Sequence, residues 1–248
     1  MIRLVTYNVH RCLGSDGTTS PSRIAEVLAS CEPDIVALQE LDVNRARSGG
    51  VDQAEAIARE LGMHMHFHPA FEVLGERYGD ALLTARPVTL LRAERLPGSS
   101  GSEPRGALAV SVDVGNAEVR VITTHLGLRG PDRLIQLEAL LRPAWIGSPS
   151  RDPVVLAGDL NALPRSRAYA RVAAHLRDAQ VVAPSRRPRP TFPALLPVLR
   201  IDHVFVSAPI EVLRAEPVRT PLAKIASDHL PLIVDFDLPP SIAIAAGT

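Results

Sequence analysis

Six separate stretches of the chain run into residues that can hold a hard cation or carry a proton. "TYNVH" leaves Asn8 and His10 at its end, "ALQELD" leaves Gln39, Glu40 and Asp42, "TTHLG" leaves His125, and "AGDLNA" leaves Asp159 and Asn161. "RIDHVF" opens on Asp202, and "ASDHLP" places Asp228 and His229 just ahead of an apolar run. Each has a plain structural explanation. Asp and Asn punctuate turns, Glu40 could be a solvated strand terminus, His125 a semi-buried core histidine and Ser227 with Asp228 a cap. Six such coincidences at strand ends are more economically read as one shared site. Carboxylate and carboxamide oxygens are the ligands that Mg²⁺ or Mn²⁺ take, and imidazoles move protons near neutral pH. Cys12 and Cys31 form no CxxC pair, so neither a zinc knuckle nor a disulfide framework can be built from them.

The elements that must position these groups are short strands with helices between them. β-branched content and length mark strands at 2–8, 34–40, 80–85, 107–114, 118–126, 153–160, 201–207 and 230–238. Ser20 and Pro21 start a helix with Ile24, Val27 and Leu28 as its apolar stripe. Val51, Ala54, Ile57, Ala58 and Leu61 space a second, closed by Gly62, and Leu134, Leu137, Leu140 and Leu141 a third, entered through Gly130 and Pro131. The run 107–114 pairs naturally with 118–126 as a hairpin across "VGNAE", so a purely parallel doubly wound sheet is not expected. Two packed mixed sheets with helices outside fit this order, in one domain spanning 1–248. "VAPSRRPRPTFPALLPVLR" reads as a long surface loop, because its prolines forbid helix interior and central strand. His64, His66 and His68 alternate in "HMHFH" as in a solvated edge strand.

The 248 residues are 46% hydrophobic and 22% charged, with 27 basic and 27 acidic side chains. That balance argues against a nucleic-acid binder driven by bulk charge, although a local basic cleft is permitted. Arg186, Arg187 and Arg189 form the one basic cluster, most simply a solvated loop. Two unpaired cysteines fit a reducing compartment, and "MIRLVTYNVH" reads as a strand rather than an export signal. No apolar run reaches the roughly 18 residues of a membrane span, and the tail "PPSIAIAAGT" is too short. A cytoplasmic protein without membrane insertion is expected, and no protein partner is predicted.

The order Asn8, "QE" with Glu40, "TTHL" with His125, "GDLNA", "RID", "SDH" resembles the endonuclease/exonuclease/phosphatase superfamily, which includes deoxyribonuclease-type nucleases, abasic-site endonucleases, neutral sphingomyelinases and inositol phosphatases. "GDLNA" or "SDH" alone is a weak signal, but all six in order span residue 5 to about 233. The resemblance implies a four-layer α/β sandwich with two central mixed β-sheets flanked by helices. It also implies hydrolysis of phosphoester bonds with Mg²⁺ or Mn²⁺, held by Glu40 with Asn8 beside it and Asp228 as a further ligand. Asp159 would orient or deprotonate the attacking water and Asn161 would serve the phosphoryl oxygens. His229 would face the scissile phosphate with Asp202 behind it, and His125 would be a phosphate contact or general acid. Tyr78 and Arg105 fall where the family places phosphate-facing groups. Its members commonly carry Asn where this chain has Asp80, which leaves the role of that position open, as is that of His10.

"LRIDHV" departs from the longer aromatic motif of inositol phosphatases, and a histidine at 125 departs from the abasic-site branch. With 4% aromatic residues and zero net charge, the chain offers little stacking surface for bases. A phosphodiesterase acting on a small or lipid-headgroup phosphodiester is therefore the leading expectation. A DNA or RNA nuclease is the alternative, and a scaffold that has lost catalysis is the less favoured third, since Glu40, Asp159, Asn161, Asp228 and His229 are all present.

Overall fold

The computed structural model of the protein describes residues 1–115, 117–184 and 187–238; Arg186 and the tail 239–248 lie outside them. The chain runs β1 (Ile2–Asn8), a 3-10 turn (His10–Cys12), α1 (Pro21–Ala29), β2 (Ile35–Val43), a second such turn (Ala46–Ser48) and α2 (Gln53–Leu61). Then come β3 (His64–Val73), β4 (Glu76–Thr84), β5 (Thr89–Leu96), β6 (Arg105–Asp113), β7 (Glu118–His125), α3 (Gly130–Leu140) and α4 (Pro143–Ile146). It closes with β8 (Val154–Asp159), α5 (Arg167–Ala173), β9 (Arg177–Asp178), α6 (Ala179–Val182), β10 (Asp202–Val206), β11 (Glu211–Pro217), α7 (Pro221–Ala226) and β12 (Leu232–Asp237).

The strands form two six-stranded mixed sheets, β11-β12-β1-β2-β4-β3 and β5-β6-β7-β8-β10-β9. Both share one pattern: a parallel pair at the centre, β1/β2 or β7/β8, with every other neighbour antiparallel. Strand alternation then sorts the side chains into three apolar interfaces. Val5, Val36 and Leu38 pack under Ile24, Val27, Leu28 and Ile57 of α1 and α2. Leu4, Ile35, Val121, Val155, Val204 and Val234 meet between the sheets. Ile122, Leu156 and Phe205 pack under Leu137 and Leu140 of α3 and Val172 of α5. Three interfaces make four layers, the sandwich expected. Among the described residues no helix is long and apolar enough to cross a membrane.

What positions the site is a change of character on the face between the sheets. Every second residue of β1 reads Leu4, Thr6, Asn8, and of β2 Ile35, Ala37, Gln39. In β7 it reads Val121, Thr123, His125, in β8 Val155, Ala157, Asp159, in β10 Val206, Val204, Asp202, and in β4 Leu82, Asp80. All are buried, so six strands pass from apolar to polar at the same end of the inter-sheet space. Gln39 marks the border. Its Nε2 reaches Thr6 Oγ1 at 3.2 Å in its own sheet and Thr123 Oγ1 at 3.0 Å in the other, giving a buried amide the partners it requires.

Three strands missed by pattern reading, β5, β9 and β11, sit at sheet edges. β3 is also an edge strand, as "HMHFH" suggests, although His66 and His68 are partly buried. The Pro/Arg-rich loop departs from expectation at its base. Thr191 and Ala194 are fully buried, because this part folds back onto the site.

Candidate active site

Glu40 does not follow the alternation of its strand. The β2–β4 register shifts between Leu38 and Leu41, which face Ala81 and Gly79, and Glu40 takes a left-handed φ of +64°. A bulge of this kind turns one side chain out of the pleat at the cost of backbone strain. The re-aimed carboxylate meets Asn8, whose Nδ2 donates to Glu40 Oε1 at 3.0 Å and to Asp159 Oδ2 at 3.1 Å. Asn8 thereby bridges the two sheets. Its Oδ1 accepts the His10 backbone N–H at 3.1 Å.

Asp159 ends β8 after Gly158, whose φ is +144° and where an added Cβ would sit 2.0 Å from the Thr124 carbonyl oxygen of β7. Only glycine fits between the parallel strands there. Asp159 Oδ1 accepts the Asn161 N–H at 2.8 Å, an Asx turn that places Asn161 at φ +47°. The turn reading is thus correct for one oxygen, while the other faces the site. Burial first, then the nearby Asp202, push the Asp159 pKa up to about 7 against the pull of His229. Asn161 Nδ2 lies 3.0 Å from His125 Nε2 and donates to the Leu126 carbonyl at 2.9 Å.

The "SDH" turn is pinned to β1 by Ser227 Oγ, which donates to the Asn8 carbonyl at 2.8 Å. His229 Nδ1 lies 2.9 Å from Asp202 Oδ2 and 3.1 Å from Oδ1, and Thr191 Oγ1 donates to the same carboxylate. Burial alone would lower the His229 pKa, but Asp202, then Asp159 and Asp228, outweigh it and raise it to about 10. The imidazolium therefore points Nε2–H toward Asp159, 3.7 Å from Oδ2. His125 is its opposite: burial, then Arg105 and His229, hold its pKa well below the usual value. Arg105 Nη1 lies 3.0 Å from His125 Nδ1, so donors face both ring nitrogens, Arg105 on one side and the Asn161 amide on the other.

These groups line a cleft of about 650 Å³ together with Tyr78, Arg105 and Asp228, so the structure brings the sequence-derived set to one place, with Asn8 and Asp202 directly behind. Asp80 lies buried beneath it, where Arg105 and the Glu40 and His125 backbone favour its ionised form against burial. His10 lies 3.7 Å from Asp228. The same cleft holds Arg11, Arg47, Arg133 and Phe192, none of which is marked by a motif. Arg47 is gripped by buried Asp42 at 2.7 and 2.8 Å and lies over the Tyr78 ring, 5.4 Å from its centroid. Phe192 packs 4.7 Å from the His229 ring. Gln53, fully buried, accepts the Asp42 N–H at 2.9 Å and donates to the Arg11 carbonyl at 2.7 Å, joining the two segments that bring in Arg11 and Arg47.

For a divalent cation the donor chemistry is oxygen. Glu40 and Asp228 bring carboxylates to the cleft wall, the donor type that Mg²⁺ or Mn²⁺ takes from one or two residues. Asp159, Asp202 and His229 also have ligand atoms within 4.8 Å of one another, but both Asp202 oxygens are committed to His229 and Thr191. Glu40 is the better fit.

The sequence profile of the Endonuclease/Exonuclease/phosphatase family matches residues 5–229, an interval that contains every residue of this site. The chain belongs to that family. The Escherichia coli protein YbhP is 32% identical over 166 residues, which are 65% of this chain and 63% of YbhP, just under two thirds of that relative. Among solved structures, an endonuclease/exonuclease/phosphatase from Beutenbergia cavernae aligns with a TM-score of 0.78 at 24% identity, covering 96% of this chain and 71% of that one. A mannosyl-6-phosphatase from Bacteroides thetaiotaomicron aligns at 0.71 and 18% identity, over 96% of this chain and 100% of that one. At these identities the likeness is one of fold.

Proposed function

We propose that the protein is a divalent-metal-dependent phosphodiesterase acting on a small or lipid-headgroup phosphodiester. The observation that carries this reading is the convergence of Glu40, Asp159, Asn161, His125 and the Asp202–His229 pair on one cleft. Glu40, supported by Asn8 and joined by Asp228, would hold Mg²⁺ or Mn²⁺, which supplies charge neutralisation and polarisation at phosphorus. Asp159 is placed to accept the proton of the attacking water. His229, fixed by Asp202, donates Nε2–H toward the phosphoryl oxygens, a fixed donor where charge grows in the transition state. Asn161 adds an amide donor, and of the two roles open to His125 the contact role suits a ring held neutral by burial and Arg105. Arg105 and Tyr78 stand on the phosphate side.

Arg11, Arg47, Arg105 and Arg133 in the lining favour a nuclease as the second reading. Two are neutralised at home, Arg47 by Asp42 and Arg105 by Glu103 at 2.8 Å. Tyr78 and Phe192 are the lining's phenyl and phenol rings, a small platform for bases.

The test is hydrolysis of bis(p-nitrophenyl) phosphate with Mg²⁺, with Mn²⁺ and with chelator, alongside plasmid DNA, RNA and phospholipid under the same conditions. Asp159→Asn should lower turnover by ~10²- to 10⁴-fold. Its melting temperature should not fall, because Asn preserves the turn that Asp159 Oδ1 makes and removes a buried charge beside Asp202. An Asp159→Asn protein as active as the wild type would reduce "GDLNA" to a turn and remove the catalytic reading.

A further inference from the structure

The loop between β5 and β6, residues 97–104, is tied down before it reaches the cleft. Ser99 donates its backbone N–H to Asp132 Oδ1 of α3 at 3.0 Å and its hydroxyl to the same oxygen, and Ser102 Oγ donates to the Ser99 carbonyl at 2.6 Å. Pro104, with its fixed φ, then joins Glu103 to Arg105, the first residue of β6. A loop anchored in this way delivers Glu103 to a set position, and its Oε2 lies 2.8 Å from Arg105 Nη2. The other terminal nitrogen, Nη1, faces His125. One guanidinium thus links the loop carboxylate to an imidazole of the site.

The two carboxylate–guanidinium pairs at the cleft differ in kind. Asp42 is fully buried and stands outside the lining, so a ligand meets only its partner Arg47. Glu103 is itself part of the lining, with 54% of its side chain exposed against 5% for Arg105. A phosphate entering the cleft therefore meets the Glu103 carboxylate as well as the guanidinium that it offsets. Behind burial and Glu40, the Glu103 charge also helps to hold the Tyr78 phenol protonated, which puts it within electrostatic reach of the second phosphate-side residue. Selectivity commonly uses a repulsive element of this kind, and the repulsion grows in proportion to the charge of the ligand. A phosphomonoester carries close to two negative charges near neutral pH, whereas a phosphodiester carries a single one. We propose that Glu103 is a specificity-determining residue that rejects doubly charged phosphomonoesters and leaves the cleft to singly charged phosphodiesters. This rests on the phosphodiesterase reading and names the residue that sets its choice of ester.

The experiment is calorimetric titration of the full chain and of Glu103→Gln, both in Mg²⁺, with two probes that differ in charge. Phenylphosphonate, held above its second ionisation, carries two negative charges, and methylphenylphosphinate carries one. Neither contains an ester bond, so binding is read whether or not the protein turns over a substrate. Gln keeps an acceptor for Arg105 at the same reach and removes only the charge. Because the repulsion is proportional to ligand charge, the factor by which the phosphonate tightens should be the square of that for the phosphinate, roughly tenfold against threefold in Kd. With p-nitrophenyl phosphate and bis(p-nitrophenyl) phosphate as substrates, the monoester-to-diester ratio of kcat/KM should accordingly rise about threefold in the variant. Equal tightening of both probes, or none, overturns the assignment, and weaker binding of both would make Glu103 a support for Arg105 instead of a filter. A wild type that hydrolyses neither ester removes the phosphodiesterase reading, while the two Kd ratios still decide whether Glu103 discriminates by charge.

Discussion

Burial pushes the Asp80 pKa up to about 7 against the pull of Arg105 and of the Glu40 and His125 backbone. In the unfolded chain the same group titrates near ~4. Between those values the folded protein binds the extra proton, so the contribution of Asp80 to stability is fully present below about pH 4 and is lost as pH rises through about 7. Asp80→Asn keeps the shape and removes the charge. Its melting temperature should match the wild type below about pH 4 and exceed it increasingly up to about pH 7, with a constant difference above; parallel curves for the two proteins would show that the surroundings already hold the ionised form. At this scale the sequence was legible wherever residue type and strand end coincided, as at Asn8, Glu40, His125, Asp159, Asp202 and His229. Thr191, Phe192, Arg47 and Gln53 were not, because such residues are common on surfaces and become functional only through partners far along the chain, 42 residues away for Gln53 and Arg11.

Among the elements, the two that do most for the site are irregular ones. The bulge in β2 delivers Glu40, and the turn after β1 delivers His10 and Arg11 with three successive residues at left-handed φ values of 46°, 57° and 58°. Such strain persists only where neighbours over-determine it, and here the clamp is Gln53 at the first turn of α2. Gln53→Leu should lower the melting temperature by several degrees, because it orphans the Asp42 N–H and the Arg11 carbonyl together, at about 1–3 kcal/mol each. An unchanged melting temperature would mean that the turn holds itself. The regular elements that pattern reading missed are edge strands or very short ones. β5 and β11 carry Leu, Arg, Ala and Glu, which favour helix, and lie at sheet edges with one face in solvent, so no alternation appears and pairing alone makes them strands. Helices α5 and α7 are 7 and 6 residues long, too short to show a period.

Across the whole molecule, the two sheets share one strand pattern and point the polar ends of their central parallel pairs at the same space. That geometry brings Glu40 from one sheet toward Asp159 of the other, with a single Asn8 amide hydrogen-bonded to both. Carboxylates from two sheets facing one cleft repel each other unless a cation or donor stands between them, so a divalent ion bound by Glu40 would fasten the sandwich as well as serve the chemistry. A ligand that binds only the folded state at about a hundredfold excess over its Kd stabilises by about 2.7 kcal/mol. For a chain of this size that is a rise in melting temperature of roughly 5–10 °C. Glu40→Gln keeps the shape, removes one repelling charge and takes away the anionic ligand. Without added metal it should melt at or above the wild-type temperature, and with Mg²⁺ or Mn²⁺ it should show only a small fraction of the wild-type rise. Scanning calorimetry of both proteins with and without the ion separates the cases without any substrate: an equal rise in both would place the cation away from Glu40, and no rise in the wild type would remove the metal from the cleft altogether.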